Sequence, residues 1–194
     1  MTKNLQKNKK ELMRLAAIEI ISEYGFYDTT ISQIAKEAGV AVGTIYNYFD
    51  NKEEILEFIF EIEVKKRLKY LKMVEKSDKN FWLKIEGFLN RHFKDLKENT
   101  NTAKILVREK EFPRKTDSGA IEEYRYKIPE KLKKLMDKAI NENKIRDCNT
   151  DVMSSVFFGA IQGVVEKAVK DENFELLDKA PLELIKILKK GIKN

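Results

Sequence analysis

The chain has 194 residues, 42% of them hydrophobic and 36% charged, with eight glycines and three prolines. That balance excludes a disordered or collagen-like chain and suits a helix-rich protein with a real core. One Cys (Cys148) and one His (His92) exclude an intrachain disulfide and any two-histidine or cysteine-rich metal site, while a formal charge of +6 favours an acidic partner.

No apolar run approaches the roughly 18 residues that span a bilayer. The basic start has no apolar segment of the signal-peptide kind after it, so the cytoplasm is the expected compartment. Lys3, Lys7, Lys9, Lys10 and Arg14 gather there against only Glu11. They are either an ordinary solvated end or a phosphate-contacting one.

The first helix is expected from about Asn8 to Tyr24, with Leu12, Leu15, Ala16, Ile18, Ile20 and Ile21 as its apolar stripe and Gly25 as its stop. Thr29 or Thr30 caps a second helix, and the backbone amides freed there suit a phosphate. Ala35, Gly39 and Ile45 then fall at the spacing of two short helices crossing at a tight turn. Ala35 is small at the crossing, Gly39 takes a left-handed backbone angle, and Ile45 fills the crease.

That is a helix-turn-helix whose second helix covers about Val42 to Phe49. At about 100° per residue Ile45 and Phe49 face inward, Gly43 and Asn47 face outward, and Thr44 and Tyr46 flank them. The outward set is small or hydrogen-bonding, as a helix lying close in a major groove requires. Tyr48 is placed on a flanking phosphate, as is Lys52, a cation in a first turn where the helix dipole disfavours one. The candidate DNA contacts are therefore Thr29, Thr30, Val42, Gly43, Thr44, Tyr46, Asn47, Tyr48 and Lys52.

Here the sequence resembles a known family. Gly25-Phe26, Thr29-Thr30, Ile34-Ala35, Ala38-Gly39-Val40, Gly43-Thr44-Ile45-Tyr46, Phe49 and Lys52-Glu53-Glu54-Ile55-Leu56 look like the N-terminal domain of the TetR family of bacterial repressors. The resemblance implies an all-α homodimer in which a larger C-terminal domain binds a small effector that releases the protein from DNA. Residues 1–50 would form the three-helix DNA-binding domain and 51–194 the ligand-binding and dimerisation domain, with about nine helices in all.

Asn51 and Glu54 give a capping-box pattern for a long helix to about Glu75, placed as a lever between the two domains. Its Lys65, Lys66, Arg67 and Lys69 read as a solvated face. Ser77 and Asp78 are expected to cap the next helix, about Lys79 to Glu98, whose Phe81, Trp82, Ile85, Phe88, Leu89, Phe93 and Leu96 either pack a core or wall an apolar cavity. His92 among them reads as a partly buried structural histidine. A polar break at Asn99 to Thr102 precedes a short helix through Ile105, Leu106 and Val107, stopped by Phe112-Pro113. Arg108, Arg114 and Lys115 nearby either pair with surface acids or anchor an anionic effector group. Arg114 to Gly119 reads as loop.

A helix from about Ala120 to Asn143 is expected to kink or split at Pro129. After a Thr150 cap, Val152 to Ala168 pairs apolar residues every four positions. The last helix, about Lys179 to Lys190, begins at Pro181 and ends at Gly191. Both carry more apolar surface than one monomer face needs, which suggests a four-helix bundle across a two-fold axis. The interface residues are Val156, Ala160, Gly163, Val164, Leu184, Ile185 and Leu188, and an Asp at Ile161 or Val165 is expected to yield monomers.

The C-terminal half resembles, more loosely, the branch of the family that represses fatty-acid degradation and responds to long-chain acyl-CoA. The similarity lies in Leu89-Asn90-Arg91-His92-Phe93-Lys94 and Phe157-Phe158-Gly159-Ala160-Ile161. The expected effector pocket comprises Trp82, Ile85, Phe88, Leu89, His92, Phe93, Leu106, Arg108, Tyr124, Arg125, Phe157 and Ile161, with no cofactor or metal. A multidrug sensor of the same fold is the alternative effector class, and a non-specific DNA-packaging protein the alternative from another class. No catalytic constellation is present, so an enzyme is not expected.

Overall fold

The computed structural model describes residues 2–109 and 119–192, the side chains of 2–7 excepted. Among these the protein is all-helical: α1 (Thr2–Tyr24), α2 (Ile31–Glu37), α3 (Val42–Tyr46), α4 (Lys52–Glu75), α5 (Phe81–Glu98), α6 (Thr100–Arg108), α7 (Ala120–Asn141), α8 (Thr150–Lys170) and α9 (Leu176–Ile192). The expected stop at Phe112-Pro113, Arg114, Lys115 and the side chains of Lys3 and Lys7 lie outside the described residues.

Local chemistry sets the first boundaries. Gly25 and Gly39 take positive φ, 83° and 64°, and end α1 and α2 as anticipated. Thr30 caps α2 in a reciprocal box: its Oγ1 accepts from the Gln33 amide at 3.2 Å, and Gln33 Oε1 accepts from the Thr30 amide at 2.7 Å. Asn51 Oδ1 accepts from the Glu54 amide at 2.8 Å to open α4, while the Glu54 carboxylate reaches the Asp50 amide rather than that of Asn51.

Several expected boundaries move. Asn80, not Ser77 or Asp78, caps α5, and the Ser77 hydroxyl instead donates to Val74 at the end of α4. Asn149 caps α8, which frees the Thr150 hydroxyl to donate to Asp137 at 2.6 Å. α7 and α9 run on through Pro129 and Pro181. On α1 the inward face is Met13, Ala16, Ala17, Ile18 and Ile21, whereas Leu12 and Leu15 are exposed.

α1, α2 and α3 pack around Ala17, Ile34, Ala35, Ile45 and Phe49. α4 leaves this unit and lies along α7, α5 lies along α9, and α8 is held between α7 and α9 with α6 across it. The body meets the N-terminal unit twice, through α4 and through α6 against α1.

Candidate functional sites

At the crossing of α2 and α3, Ala35 and Ile45 are buried, and the Val40 amide donates to the Ala35 carbonyl at 2.9 Å to close the turn. The opposite side of α3 is free. Val42, Gly43, Tyr46 and Asn47 are exposed, and Thr44 and Tyr48 half-buried. A Cβ built on Gly43 meets nothing within 4 Å, so the protein's own packing does not demand a glycine there. α3 spans five residues, shorter than expected, because Asn47 closes it with its amide on Thr44 and Ile45.

Three candidate contacts also hold the framework. The Lys52 ammonium donates to the carbonyls of Phe26 and Thr29 at 2.6 Å each and of Tyr27 at 3.1 Å, and lies 4.5 Å from the Phe26 ring centre. An ammonium has three protons, and all three have an acceptor on the α1–α2 loop, so this cation acts as a strut there. Thr29 is buried with its hydroxyl on the Gly25 carbonyl, and the Thr30 hydroxyl is engaged with Gln33. In the basic start, Arg14 is buried and paired with Glu11, and Lys10 lies over the rings of Phe49 and Phe58, which leaves Lys9 exposed. A cleft of about 650 Å³ lined by Lys10, Asn47, Tyr48, Phe58 and Lys65 adjoins the end of α3.

In the helical body, Ile85, Phe88, Leu89, His92, Phe93, Leu106, Tyr124, Phe157 and Ile161 are all buried, in one continuous core. The other three expected pocket residues stand apart. Trp82 is half-buried against Phe81 near Lys189 of α9, Arg125 is exposed beside Tyr126, and the exposed Arg108 donates to the Ser22 carbonyl at the end of α1.

The centre of the core is polar. Arg67, expected in solvent, has 0% exposure, and Glu63 one turn earlier has 1%. Arg67 Nη1 pairs with the Glu63 carboxylate and donates to the Glu63 carbonyl at 3.0 Å; Nη2 lies 3.9 Å from Asp95. Lys66 bridges Glu63 and Asp95 at 3.0 and 3.2 Å from the rim. Burial opposes the charge on Arg67 but Glu63 outweighs it, so the guanidinium stays protonated. For Glu63 burial pushes upward, and Arg67 with Lys66 brings the carboxyl net below its ordinary value.

The other half of the centre is aromatic. His92 stacks on Phe88 at 5.7 Å and meets Phe93 edge-on at 5.3 Å; Tyr124 contacts Phe60, Phe158 and the Arg67 guanidinium at about 6 Å. Burial and then the charge of Arg67 hold His92 well below the ordinary histidine range, so the imidazole is neutral. Arg67 Nε and Nη2 and both His92 nitrogens are buried with no hydrogen-bond partner. Such groups cost about 1–3 kcal/mol each. The spacing of Leu56, Phe60, Glu63, Arg67 and Leu71 already put both charges on the inward stripe of α4, a signal masked by the neighbouring lysines.

The dimer residues also divide. On α8 Val156, Ala160 and Gly163 are exposed and Val164 half-buried, with Val152 extending the same apolar strip. On α9 Leu184, Ile185 and Leu188 are 4–7% exposed and pack inside the monomer, because the exposed apolar residues of α9 are Leu182 and Ile187. Ile161 and Val165 are core residues at 0% and 1% exposure, so an Asp there attacks folding rather than association. α8 has the length and composition to cross a bilayer, contrary to the expectation from sequence, but one side of it is buried in the bundle and the apolar remainder is this strip.

A helix-turn-helix with an open recognition face, carried on a larger helical body with a polar centre, defines a DNA-binding regulator with a second, sensing part. Residues 15–59 match the bacterial regulatory proteins of the tetR family. The chain is 31% identical, over 93% of its length and 95% of the relative's, to the fatty acid metabolism regulator protein of Bacillus subtilis. It superposes with a TM-score of 0.82 on FadR from Bacillus subtilis solved with stearoyl-CoA, at 25% identity, covering 92% of this chain and 96% of that one. The fatty acid degradation regulator FadR from Bacillus halodurans gives 0.80 at 26% identity, over 91% and 94% of the two chains. The chain belongs to the TetR family and is a ligand-responsive transcriptional regulator.

Proposed function

We propose that this regulator is a repressor that binds a palindromic operator as a dimer and leaves it on binding a long-chain acyl-CoA. Residues 1–50 are the reading head and 51–194 the sensing and dimerising body. The observation that carries the effector is the reach of the likeness: it runs past the reading head through the whole body, to a regulator whose solved complex holds stearoyl-CoA. The aromatic core between α4, α5 and α7 supports the same ligand chemistry, because a long alkyl chain gains most from apolar walls.

On DNA, Val42, Gly43, Thr44, Tyr46 and Asn47 face the groove and Tyr48 a flanking phosphate. Gly43 fits this role because only a close external surface gives a reason for the missing side chain. One such helix reads few bases, so two are needed, about 34–36 Å apart across a two-fold axis. The strip of Val152, Val156, Ala160 and Gly163 supplies the contact between protomers, joined by Leu182 and Ile187 if α9 follows it. The test is fluorescence anisotropy on duplexes from the gene's own promoter. Binding far tighter than to random duplex, and release by micromolar stearoyl-CoA, are expected; release by aromatic antimicrobials but not by acyl-CoA would transfer the protein to the multidrug class.

A further inference from the structure

Three nitrogens at the centre of the body, Nε of Arg67 and both of His92, have neither a hydrogen bond nor an ion pair, and they face a narrow choice of ligand. We infer that Arg67 and His92 form the polar end of the effector site and recognise a neutral acyl carbonyl oxygen, as in a thioester, in preference to a carboxylate. This rests on the acyl-effector reading above and specifies which part of the molecule is read.

The charge balance gives the preference. Arg67 and Lys66 face Glu63 and Asp95, two cations against two carboxylates, and these pair among themselves at 3.9 Å or closer. A fatty-acid carboxylate would add a negative charge with no cation left for it, in a place where the guanidinium has no exposure to water. A carbonyl oxygen adds none. It has two lone pairs, and two residues of the cluster hold buried N–H groups without a hydrogen-bond partner, Arg67 at Nε and the neutral His92 at one ring nitrogen. The rings of Phe88 and Tyr124 flank these donors and suit the methylenes on the chain side of the carbonyl.

A structural cluster would hold the same residues without discriminating ligands, so the test is discrimination. Palmitoyl-CoA and S-hexadecyl-CoA share chain and nucleotide and differ in the carbonyl, which is a methylene in the thioether. By calorimetry the wild-type protein is expected to prefer the thioester by about tenfold, the size of hydrogen bonding gained at a buried acceptor. In His92→Phe, which keeps the ring stack on Phe88, the thioester falls toward the level of the thioether. Palmitamide is expected to bind the wild type more tightly than palmitate at pH 7.5. Because His92 is the only histidine, ¹⁵N-imidazole spectra of the unmutated protein provide a second reading: palmitoyl-CoA shifts the ring signals and the thioether leaves them near their free positions.

Equal affinity for thioester and thioether, or a preference that persists in His92→Phe together with imidazole signals that palmitoyl-CoA leaves unmoved in the wild type, overturns the inference and leaves acyl-CoA as the effector. Tighter binding of palmitate than of palmitamide overturns the choice of a neutral group. Failure of both CoA compounds to bind overturns the inference and the acyl-effector reading together.

Discussion

His92 makes the stability of this protein depend on pH in a window that no other side-chain type shares. The neutral imidazole is locked in by burial and by Arg67, with a folded pKa well below the ordinary 6.5. The unfolded chain therefore takes up a proton as pH falls through about 6.5 while the folded chain does not. Stability is full above that value and declines below it, by about 1.4 kcal/mol for each pH unit until the folded pKa is reached. Between pH 6.5 and 5 one residue can account for a loss of at most about 2 kcal/mol. His92→Phe removes the proton uptake together with two unpartnered nitrogens, so the variant is expected to be at least as stable as wild type at pH 7.5. At pH 5 it is expected to be further ahead, by at most about 2 kcal/mol. Urea unfolding followed by circular dichroism, at fixed protein concentration and at both pH values, gives the two differences. Carboxylates that begin to titrate near pH 5 act on both proteins and cancel in the comparison. The same change in stability from pH 7.5 to 5 for variant and wild type would refute the buried, neutral state of His92.

Four further outcomes test the reading head, the interface and the core. Lys52→Met removes three carbonyl contacts and is expected to lower the thermal stability of the protein by about 1–3 kcal/mol, with the slope of log affinity against log salt unchanged; a slope lower by about one unit would restore a phosphate role. Asn47→Ala is expected to relax sequence preference by about 1–3 kcal/mol at a single base pair of each half-site, read by competition with substituted duplexes. Val156→Asp, on the exposed strip of α8, is expected to give folded monomers by light scattering, whereas Ile161→Asp in the core is expected to lose its cooperative melt.

The elements that depend on local chemistry were legible in the sequence. Gly25, Gly39, Thr30 and Asn51 act on neighbours within a few residues, and each stands where its turn or cap requires. Contacts between distant segments were not. Nothing near Lys52 in sequence tells that the carbonyls of Phe26, Tyr27 and Thr29 lie within its reach, so the helix dipole alone pointed to a phosphate. Arg108 was ambiguous for the same reason, its partner being 86 residues away at Ser22. Arg67 failed differently: among lysines it read as one more solvated charge, although its place on the stripe with Glu63 and Leu71 was visible. Leu184, Ile185 and Leu188 show the limit of counting apolar residues, because an excess on a helix does not say which of its two apolar edges faces a partner.

The two joints between body and reading head differ in what they can transmit. α4 carries Arg67 in the core of the body and Lys52 at the α1–α2 loop, about 22 Å apart at 1.5 Å per residue, so a shift of that core would move the loop through one rigid element. α6 ends in a second tie: Arg108 holds the Ser22 carbonyl at 2.9 Å, and the buried Glu109 accepts from the Phe26 amide at 3.3 Å. Both ties converge on the loop after α1, since Lys52 holds the Phe26 carbonyl while Glu109 holds its amide. A loop clamped from two helices moves only when they move together, and Glu109→Ala opens one side of the clamp. Operator affinity without effector is then expected to change by less than about threefold, while the factor by which stearoyl-CoA weakens it shrinks by about 0.5–2 kcal/mol of coupling, or roughly 2- to 30-fold. Anisotropy titrations with and without effector measure both quantities on one duplex. An unchanged release factor would mean that α4 alone carries the signal and that the α6 tie serves only to dock the reading head.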